Sequence, residues 1–273
     1  MSTRPQRANR HRRLIALAAV AAVAVAATAC STSSASSGGT TTTKPKLTGS
    51  IVVSAAASLT GTFGLLGTQF QSAHPGATIT FNFGSSGALV TQITQGAPAD
   101  VFASAGTQDM TRAQSSGDIA GKPVVFARNT LEIVVKPGNP LGITSLADLN
   151  RANVVALCAS SAPCGAAADT VLQQNGISIS TSKVSLGTDV KSTLQQVTSG
   201  DADAAIVYVT DVKTVGGAGQ GVPIPAAQNI IASYPMALVK GTTNAGLGNA
   251  WIDYMTGPEG QKVLRTAGFL PPS

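Results

Sequence analysis

Short motifs of small and hydroxyl residues recur along this chain, each between an apolar segment of strand type and a segment of helical type. They are residues 55–59 (AAASL), 83–87 (FGSSG), 162–165 (APCG) and 188–192 (TDVKS), and residues 206–208 (IVY) end a further strand. The first N–H groups of a helix lack partners within the helix, and the helix dipole adds partial positive charge there. Several such helix starts can surround an oxyanion with neutral donors. The pattern therefore predicts a site that binds an anion and carries out no reaction.

Apolar strand segments alternate with helical segments over most of the chain, which is the α/β signature. In residues 58–71, for example, apolar side chains recur every three or four positions, as expected for a helix. We predict two similar α/β lobes, each a mixed sheet flanked by helices, with the chain crossing near Asn129 and returning near Tyr234. Lobe I would comprise residues 48–129 and 234–273, and lobe II residues 130–233. Two strands, 230–233 and 236–240, are predicted on either side of Tyr234-Pro235.

Residues 1–29 are typical of a signal peptide. Five arginines precede an apolar run of 14 residues, which is shorter than the roughly 20 residues of a membrane-spanning helix. Cleavage after Ala29 would leave Cys30 first, and residues 27–30 (ATAC) resemble a lipobox, although Ala27 stands where leucine is more usual. The alternative is an ordinary signal peptide with an incidental cysteine. We expect export, with a lipid on Cys30 holding the protein at the outer face of the cytoplasmic membrane and residues 30–47 forming a disordered tether.

Removal of this leader changes what the net charge means. The chain has 18 basic and 12 acidic residues, and five basic residues precede Cys30, so the remainder has a net charge of +1. Only 3 Tyr and 1 Trp are present, and no basic run contains aromatic residues. Nucleic-acid binding is therefore not expected.

Two cysteines remain once Cys30 is set aside. Cys158 and Cys164 could close a short disulfide loop in an exported protein, worth roughly 2 kcal/mol. Free thiols and a redox site are the alternatives. The spacing does not match C-x-x-C, and His74 is the only histidine after the leader, so no zinc ligand set is present. A structural disulfide is favoured.

A series of longer motifs follows in a fixed order. The most specific is residues 83–105 (FGSSGALVTQITQGAPADVFASA), followed by 131–140 (LEIVVKPGNP), 188–194 (TDVKSTL) and 255–269 (MTGPEGQKVLRTAGF). Over nearly all of residues 50–271 the chain resembles the periplasmic molybdate-binding proteins of ABC importers. The resemblance implies a two-lobed, type II-like periplasmic-binding-protein fold that closes on molybdate, or tungstate, in the cleft between its lobes.

The same resemblance implies five ligand residues for the oxyanion. Ser58 and Ser86 would provide hydroxyl and backbone N–H donors from the first lobe. Cys164 and Val190 would provide backbone N–H groups from the second lobe, and Tyr208 its phenolic hydroxyl. The resemblance also implies partner permease and ATPase subunits of an importer. We expect no catalytic residue, no cofactor, a monomer, and molybdenum only as molybdate, without direct metal ligands.

The residues of the first lobe support these roles only in part when they are considered alone. Ser58 precedes a periodic helix and could be a plain N-cap. Ser86 stands beside Ser85, which leaves open which of the two hydroxyls faces the cleft.

The residues of the second lobe have comparable alternatives. Pro163 suits the first position of a helix and leaves the Cys164 N–H free. Asp189 is a good N-cap before Val190, a role we prefer to a contact with an anion. Tyr208, considered alone, is more often a packing residue than a ligand.

Three other functions remain open. A carrier of sulfate, phosphate or another oxyanion would use the same donors, and cavity size would have to separate sulfate from molybdate. A serine acyl-transfer enzyme is suggested only by residues 180–183 (STSK), which match S-x-x-K without the partner motifs. A cell-surface lipoprotein whose cleft no longer binds a ligand is the third.

Overall fold

The structure, a computed structural model, describes residues 46–273. The predicted signal peptide, Cys30 and residues 30–45 of the predicted tether lie outside the described residues. Residues 46 and 47 directly precede the first strand.

The described residues form ten strands and eight α-helices. The strands are β1 (Thr48–Ala56), β2 (Gly76–Gly84), β3 (Val101–Ala103), β4 (Ile119–Asn129), β5 (Leu131–Val135), β6 (Val155–Cys158), β7 (Val184–Gly187), β8 (Ala204–Tyr208), β9 (Gln220–Pro223) and β10 (Ala232–Val239). The α-helices are α1 (Thr60–Ala73), α2 (Ser86–Thr94), α3 (Thr107–Ser115), α4 (Pro163–Gln174), α5 (Val190–Thr198), α6 (Val209–Val212), α7 (Ala245–Thr256) and α8 (Pro258–Ala267). Short 3₁₀ helices cover Ala57–Leu59, Ala147–Arg151, Thr181–Lys183, Gly216–Ala218 and Ala226–Gln228.

The strands form two mixed five-stranded sheets with matching arrangements. In the first, of order β2-β1-β3-β10-β4, β1 is parallel to β2 and β3, and β10 is antiparallel to β3 and β4. In the second, of order β7-β6-β8-β5-β9, β6 is parallel to β7 and β8, and β5 is antiparallel to β8 and β9. The predicted α/β class with two mixed sheets is confirmed. We call the sheets with their helices lobe I and lobe II, in that order.

The chain passes between the sheets at two places that lie close together. Strand β4 ends at Asn129 and β5 begins at Leu131, so a single residue makes the first crossing. The chain returns with β10, whose pairing with β4 begins at Ala232 opposite Asn129. The predicted lobe boundaries, 48–129 plus 234–273 and 130–233, stay a prediction.

Strand β10 differs from the prediction made for its residues. The two strands predicted on either side of Tyr234-Pro235 are one continuous strand, Ala232–Val239. Proline lacks the N–H that a ladder needs, and the pairing of β10 with β4 shifts in register between Tyr234 and Pro235. The carbonyl of Pro235 still accepts a hydrogen bond, from the Ser104 N–H at 2.9 Å. The shift lets the strand continue through the proline.

Aromatic packing holds the first helix of lobe I in place. Trp251 is fully buried, and its ring lies edge-on to those of Phe63 and Phe70 at centroid distances of 5.6 and 5.5 Å. Both phenylalanines belong to α1, so these contacts fix α1 and the 3₁₀ turn Ala57–Leu59 just before it.

Within residues 46–273, none of the helices combines the length and the hydropathy needed to cross a membrane.

Candidate functional site

The five residues predicted to bind an anion lie at the carboxyl ends of five strands. Ser58 follows β1, Ser86 follows β2, Cys164 follows β6, Val190 follows β7 and Tyr208 is the last residue of β8. Ligands of open α/β sheets bind at this edge. Each of the five residues is at most 6 % exposed.

One small cavity is lined by all five of these residues, two from lobe I and three from lobe II. Its volume is about 10 Å³, and the rest of its wall is formed by Ala56, Ala57, Gly84, Ser85, Ala105, Ala162 and Asp189. Most of these neighbours are small, so backbone groups come close to the cavity. The structure thus brings together residues that are up to 150 positions apart in the sequence.

Helix starts bring backbone donors to this cavity. Helices α2 and α5 begin at Ser86 and Val190, and Pro163 is the first residue of α4, so Cys164 is the second. The N–H groups in the first turn of a helix have no partner within that helix. Partial positive charge from three helix dipoles is therefore directed at the cavity wall.

The hydroxyl of Ser86 is fixed by a hydrogen bond from a backbone N–H. Its Oγ accepts a hydrogen bond from the Ala105 N–H at 3.1 Å, and its side chain is fully buried. Ser85 is half-buried and is the N-cap of α2, but its side chain makes no capping bond. Both serines line the cavity. The bond from Ala105 leaves the Ser86 hydroxyl proton available to another acceptor.

Ser58 makes a different bond from the one expected of a plain N-cap. It lies inside the 3₁₀ turn Ala57–Leu59, and neither that turn nor α1 has a side-chain cap. Its Oγ lies 3.1 Å from the hydroxyl of buried Tyr234. Ser58 is thus tied to the strand β10 by which the chain returns to lobe I.

The start of α5 is closed by a capping box. The Asp189 carboxylate accepts hydrogen bonds from the N–H groups of Lys191 and Ser192 at 2.8 and 3.0 Å, and the Ser192 hydroxyl accepts one from the Asp189 N–H at 3.1 Å. Asp189 therefore has the capping role expected from the sequence. Neither bond to its carboxylate uses the N–H of Val190, the first helical residue.

The loop before α4 is closed by a disulfide between Cys158, the last residue of β6, and Cys164. The loop is tight, since a side chain at Gly165 would collide with the carbonyl of Ala159. Pro163 at the first helical position has no N–H, so the Cys164 N–H is the first backbone donor of α4. The disulfide anchors the segment that carries this donor.

Tyr208 has a buried hydroxyl without a hydrogen-bond partner among the described residues. Burial raises its pKa well above the ordinary value, and nearby Tyr234 and Asp211 raise it further. The phenol therefore keeps its proton throughout the neutral pH range and can act as a donor. A buried unpaired hydroxyl costs about 1–3 kcal/mol, so a further group is expected to bond it.

A buried ion pair lies next to these donors in lobe II. Lys191 Nζ is 2.9 Å from Asp211 Oδ1, and the Asp211 side chain is fully buried. Burial raises the pKa of Asp211 to about 6, although Lys191 opposes the shift. The pair links the second residue of α5 to α6, which follows Tyr208 directly. This ion pair was not predicted, because nothing in a single sequence pairs two charges 20 positions apart.

A polar network between the crossing strands was not predicted from the sequence either. Asn129 Nδ2 donates to Thr210 Oγ1 at 2.8 Å and to the Tyr234 hydroxyl at 3.4 Å. All three residues are at most 5 % exposed. One feature of the sequence could have indicated this network: Asn129 and Tyr234 lie at the two predicted crossings between the lobes.

The S-x-x-K motif does not form a nucleophile–base pair. Ser180 Oγ is hydrogen-bonded to Ser182 Oγ at 2.9 Å, whereas Lys183 Nζ donates to the carbonyls of Asn150 and Ala152 at 2.8 and 2.9 Å. The amine is thus directed away from the serine. Over residues 46–273, no group of three or more His, Cys, Asp or Glu side chains is arranged to hold a metal ion.

Comparison with known families gives one match over most of the chain. Residues 51–270 match the model of the bacterial extracellular solute-binding proteins. The chain is 40% identical over 224 residues to the molybdate-binding protein ModA of Mycobacterium tuberculosis, covering 82% of this chain and 85% of that protein. It is 31% identical over 223 residues to a putative ABC transporter substrate-binding lipoprotein, YvgL, of Bacillus subtilis, covering 81% of this chain and 86% of that protein.

Solved structures show the same architecture. The periplasmic molybdate-binding protein of Azotobacter vinelandii superimposes with a TM-score of 0.74 at 24% identity, covering 82% of this chain and all of that one. The sulfate-binding protein SubI of Mycobacterium tuberculosis superimposes with a TM-score of 0.71 at 20% identity, covering 81% of this chain and 86% of that one. At these identities the likeness concerns the fold.

Proposed function

The chain belongs to the bacterial extracellular solute-binding protein family, and we propose that it binds molybdate, and tungstate, for delivery to an ABC importer. One observation carries the proposal: five residues able to offer neutral donors line one small cavity between the two lobes. The 40% identity to a protein named as molybdate-binding favours molybdate over other tetrahedral oxyanions.

We assign the five ligand roles as follows. The hydroxyls of Ser58 and Ser86 and the N–H groups of their helix starts bind the anion from lobe I. The N–H groups of Cys164 and Val190, with the hydroxyl of Tyr208, bind it from lobe II. A tetrahedral anion held from both sides joins the lobes, so binding favours the closed form.

Neutral donors suit a doubly charged anion that must later be released. Removing such an anion from water is costly, so each of its oxygens must regain hydrogen bonds in the site. Charge-assisted bonds contribute roughly 1.5–3 kcal/mol each, which allows tight binding by several of them without a cation. Lys191 is engaged with Asp211 and adds no free positive charge. The site is thus built from dipoles fixed before the anion arrives.

A site made of donors also discriminates by protonation state. A phosphate that carries a proton needs an acceptor for it, and a Ser or Tyr hydroxyl of this site could accept that proton only by turning its own proton away from the anion and losing a donated bond. Sulfate has the same charge and geometry as molybdate, so only the closeness of the two lobes can separate those two anions.

The remaining parts of the proposal concern the setting of the site. We infer a transported ligand without a resident cofactor or a catalytic residue. We further infer a monomer that is exported, is anchored through a lipid on Cys30 and works with the permease and ATPase subunits of an importer. Metabolic labelling with a palmitate analogue would test the anchor, since a Cys30→Ser variant must lose the label.

The ligand roles can be tested with two neighbouring serines. Because the Ser86 hydroxyl is buried and fixed by Ala105, Ser86→Ala is expected to raise the Kd for molybdate roughly 10- to 100-fold, as measured by isothermal titration calorimetry. Ser85→Ala is the matched control and should change the Kd by less than about threefold. The assignment fails if Ser85→Ala weakens binding more than Ser86→Ala does.

A further inference from the structure

A chain of buried hydrogen bonds leads from the crossing between the lobes to the Ser58 hydroxyl. It runs from Asn129 to Tyr234 and from Tyr234 to Ser58, with heavy-atom distances of 3.4 and 3.1 Å. Asn129 and Tyr234 are fully buried. Neither residue lines the cavity, so any effect on an anion must act through Ser58.

The direction of the protons along this chain follows from Asn129. Its Oδ1 accepts a hydrogen bond from the Thr130 N–H at 3.0 Å, which determines which end of the amide is oxygen and which is nitrogen. The nitrogen therefore faces Thr210 and Tyr234, and an amide nitrogen can only donate. The Tyr234 oxygen must then be the acceptor in its contact with Asn129.

The Tyr234 hydroxyl has one proton and can therefore donate one hydrogen bond. Burial raises its pKa, so the proton stays on the oxygen. Among the described residues, Ser58 Oγ is the acceptor that lies within hydrogen-bond distance of this hydroxyl. The Tyr208 hydroxyl is also nearby, but it makes no hydrogen bond with any described residue. Tyr234 therefore donates to Ser58, and the proton of Ser58 is free to point away from Tyr234, into the cavity that Ser58 lines.

Ser86 has the same arrangement with a backbone donor in place of the tyrosine. The Ala105 N–H donates to Ser86 Oγ at 3.1 Å, and this donor cannot turn round. Both serines of lobe I thus accept a hydrogen bond from a protein donor, and each can direct its own hydroxyl proton into the cavity.

We propose that Tyr234 and Asn129 are positioning residues that make Ser58 an obligatory donor toward the bound oxyanion. This proposal rests on the proposed function. Without Tyr234, the Ser58 hydroxyl could rotate and direct a lone pair at the anion, which would repel it. The same bonds reach lobe II through Thr210, two residues after Tyr208. The network therefore connects the orientation of Ser58 to the segment that carries the phenol donor.

A double-mutant cycle tests the proposal by titration calorimetry with sodium molybdate. Tyr234→Phe is expected to raise the Kd about 3- to 10-fold, and Ser58→Ala about 10- to 100-fold. In the Ser58→Ala background, Tyr234→Phe should change the Kd by less than about twofold, because no hydroxyl is left to orient. Tyr254→Phe, which removes a half-exposed hydroxyl bonded to Gln69 at 3.3 Å, is the matched control and should bind as the wild type does.

The possible outcomes separate this proposal from the proposed function. Equal weakening by Tyr234→Phe with and without the Ser58 hydroxyl would mean that Tyr234 acts through packing, and would overturn the proposal. Wild-type affinity in Tyr234→Phe would overturn it as well, while leaving molybdate binding intact. A wild-type protein that does not bind molybdate would overturn both. Should Tyr234→Phe fail to fold, as judged by thermal unfolding, the same cycle with Asn129→Ala decides, with the same loss of effect expected in Ser58→Ala.

Discussion

At the scale of single residues, the hydroxyl of Tyr208 has the least satisfied environment of the five proposed ligands. It is buried, it keeps its proton, and it lacks a hydrogen-bond partner within the described region. A group of this kind costs free energy in the protein alone and recovers it when an acceptor binds. The cost in the free state is consistent with a role in the bound state.

Removal of this hydroxyl should therefore affect stability and binding in opposite directions. We expect Tyr208→Phe to leave the melting temperature of the ligand-free protein unchanged or higher, since an unpaired polar atom is lost. The Kd for molybdate should rise about 10-fold or more. Thermal unfolding and calorimetry on the same preparation measure both. A variant that melts clearly lower but binds normally would show that Tyr208 is a packing residue.

The sequence predicted the ligand positions better than their partners. Ser58, Ser86, Cys164, Val190 and Tyr208 were identified by resemblance, and they line one cavity. Tyr234 was identified only as a crossing point, because its bond to Ser58 joins residues 176 positions apart. Contacts at such separations depend on how the sheets are placed, which local patterns in one sequence do not encode.

At the scale of elements, α5 and α6 are joined by the ion pair of Lys191 and Asp211. In the folded protein Asp211 keeps its proton up to about pH 6, whereas in the unfolded chain it releases the proton near pH 3.8. Between these values the folded state binds more protons than the unfolded state. The contribution of Asp211 to the free energy of unfolding therefore falls as the pH rises through this window.

Asp211→Asn removes this titration. We expect the melting temperature of the variant, relative to the wild type, to increase steadily between about pH 4 and pH 6, because only the wild type pays for ionising a buried carboxyl. Any constant loss from leaving Lys191 unpaired shifts the whole curve without changing its slope.

Asp203→Asn is the matched control for this experiment. Asp203 also pairs with a lysine, Lys136, at 2.8 Å. Burial opposes its ionisation, but bonds from Lys136 and from two backbone N–H groups outweigh it and lower its pKa. Its variant should therefore show no rising trend in that window. Parallel curves for the wild type and Asp211→Asn would contradict the pKa shift of Asp211.

The predicted elements agree with the observed ones where the local signal is strong. The sequence predicts a helix at residues 107–115, a strand at 131–135 and a helix at 258–267, and α3, β5 and α8 have these bounds. The four-residue helix α6 was not predicted, since it is too short to show a helical period. Strand β10 was divided in two because proline normally ends a strand, and only the register shift against β4 reconciles it with the sheet.

At the scale of the whole molecule, the two lobes meet closely at Gly87 of α2. A Cβ atom on this glycine would collide with the carbonyl oxygen of Ser161, in the lobe II loop before α4. Gly87 lies directly after Ser86 and Ser161 is three residues before Cys164, so the contact lies beside the proposed ligands of both lobes. A glycine is required here for the lobes to approach.

Gly87→Ala should weaken binding without harming the ligand-free fold. Alanine favours a helix over glycine by up to about 1 kcal/mol, so the separated lobes lose nothing, whereas their approach is obstructed. We expect the Kd for molybdate to rise about 10-fold or more while the melting temperature without ligand stays equal or rises. Gly64→Ala in α1, where a Cβ meets no atom within 4 Å, is the control for helix propensity. Equal affinities in the two variants would refute the closure argument.

The fold as a whole followed from alternation of strands and helices, and two mixed sheets were expected on that basis. The distance between the sheets could not be predicted, because it depends on side-chain volumes at contacts such as Gly87 with Ser161. That distance is what decides which tetrahedral anion the cleft accepts.

Whether the cleft is a molybdate site can be decided by a calorimetric titration. Molybdate, tungstate, sulfate and phosphate are titrated in turn into the purified protein at neutral pH. We expect molybdate and tungstate to bind tightly with 1:1 stoichiometry. Sulfate should bind at least about 100-fold more weakly, a difference close to 3 kcal/mol, and phosphate should give no measurable heat. Sulfate binding as tight as molybdate, or the absence of binding by all four anions, would contradict the proposed molybdate site.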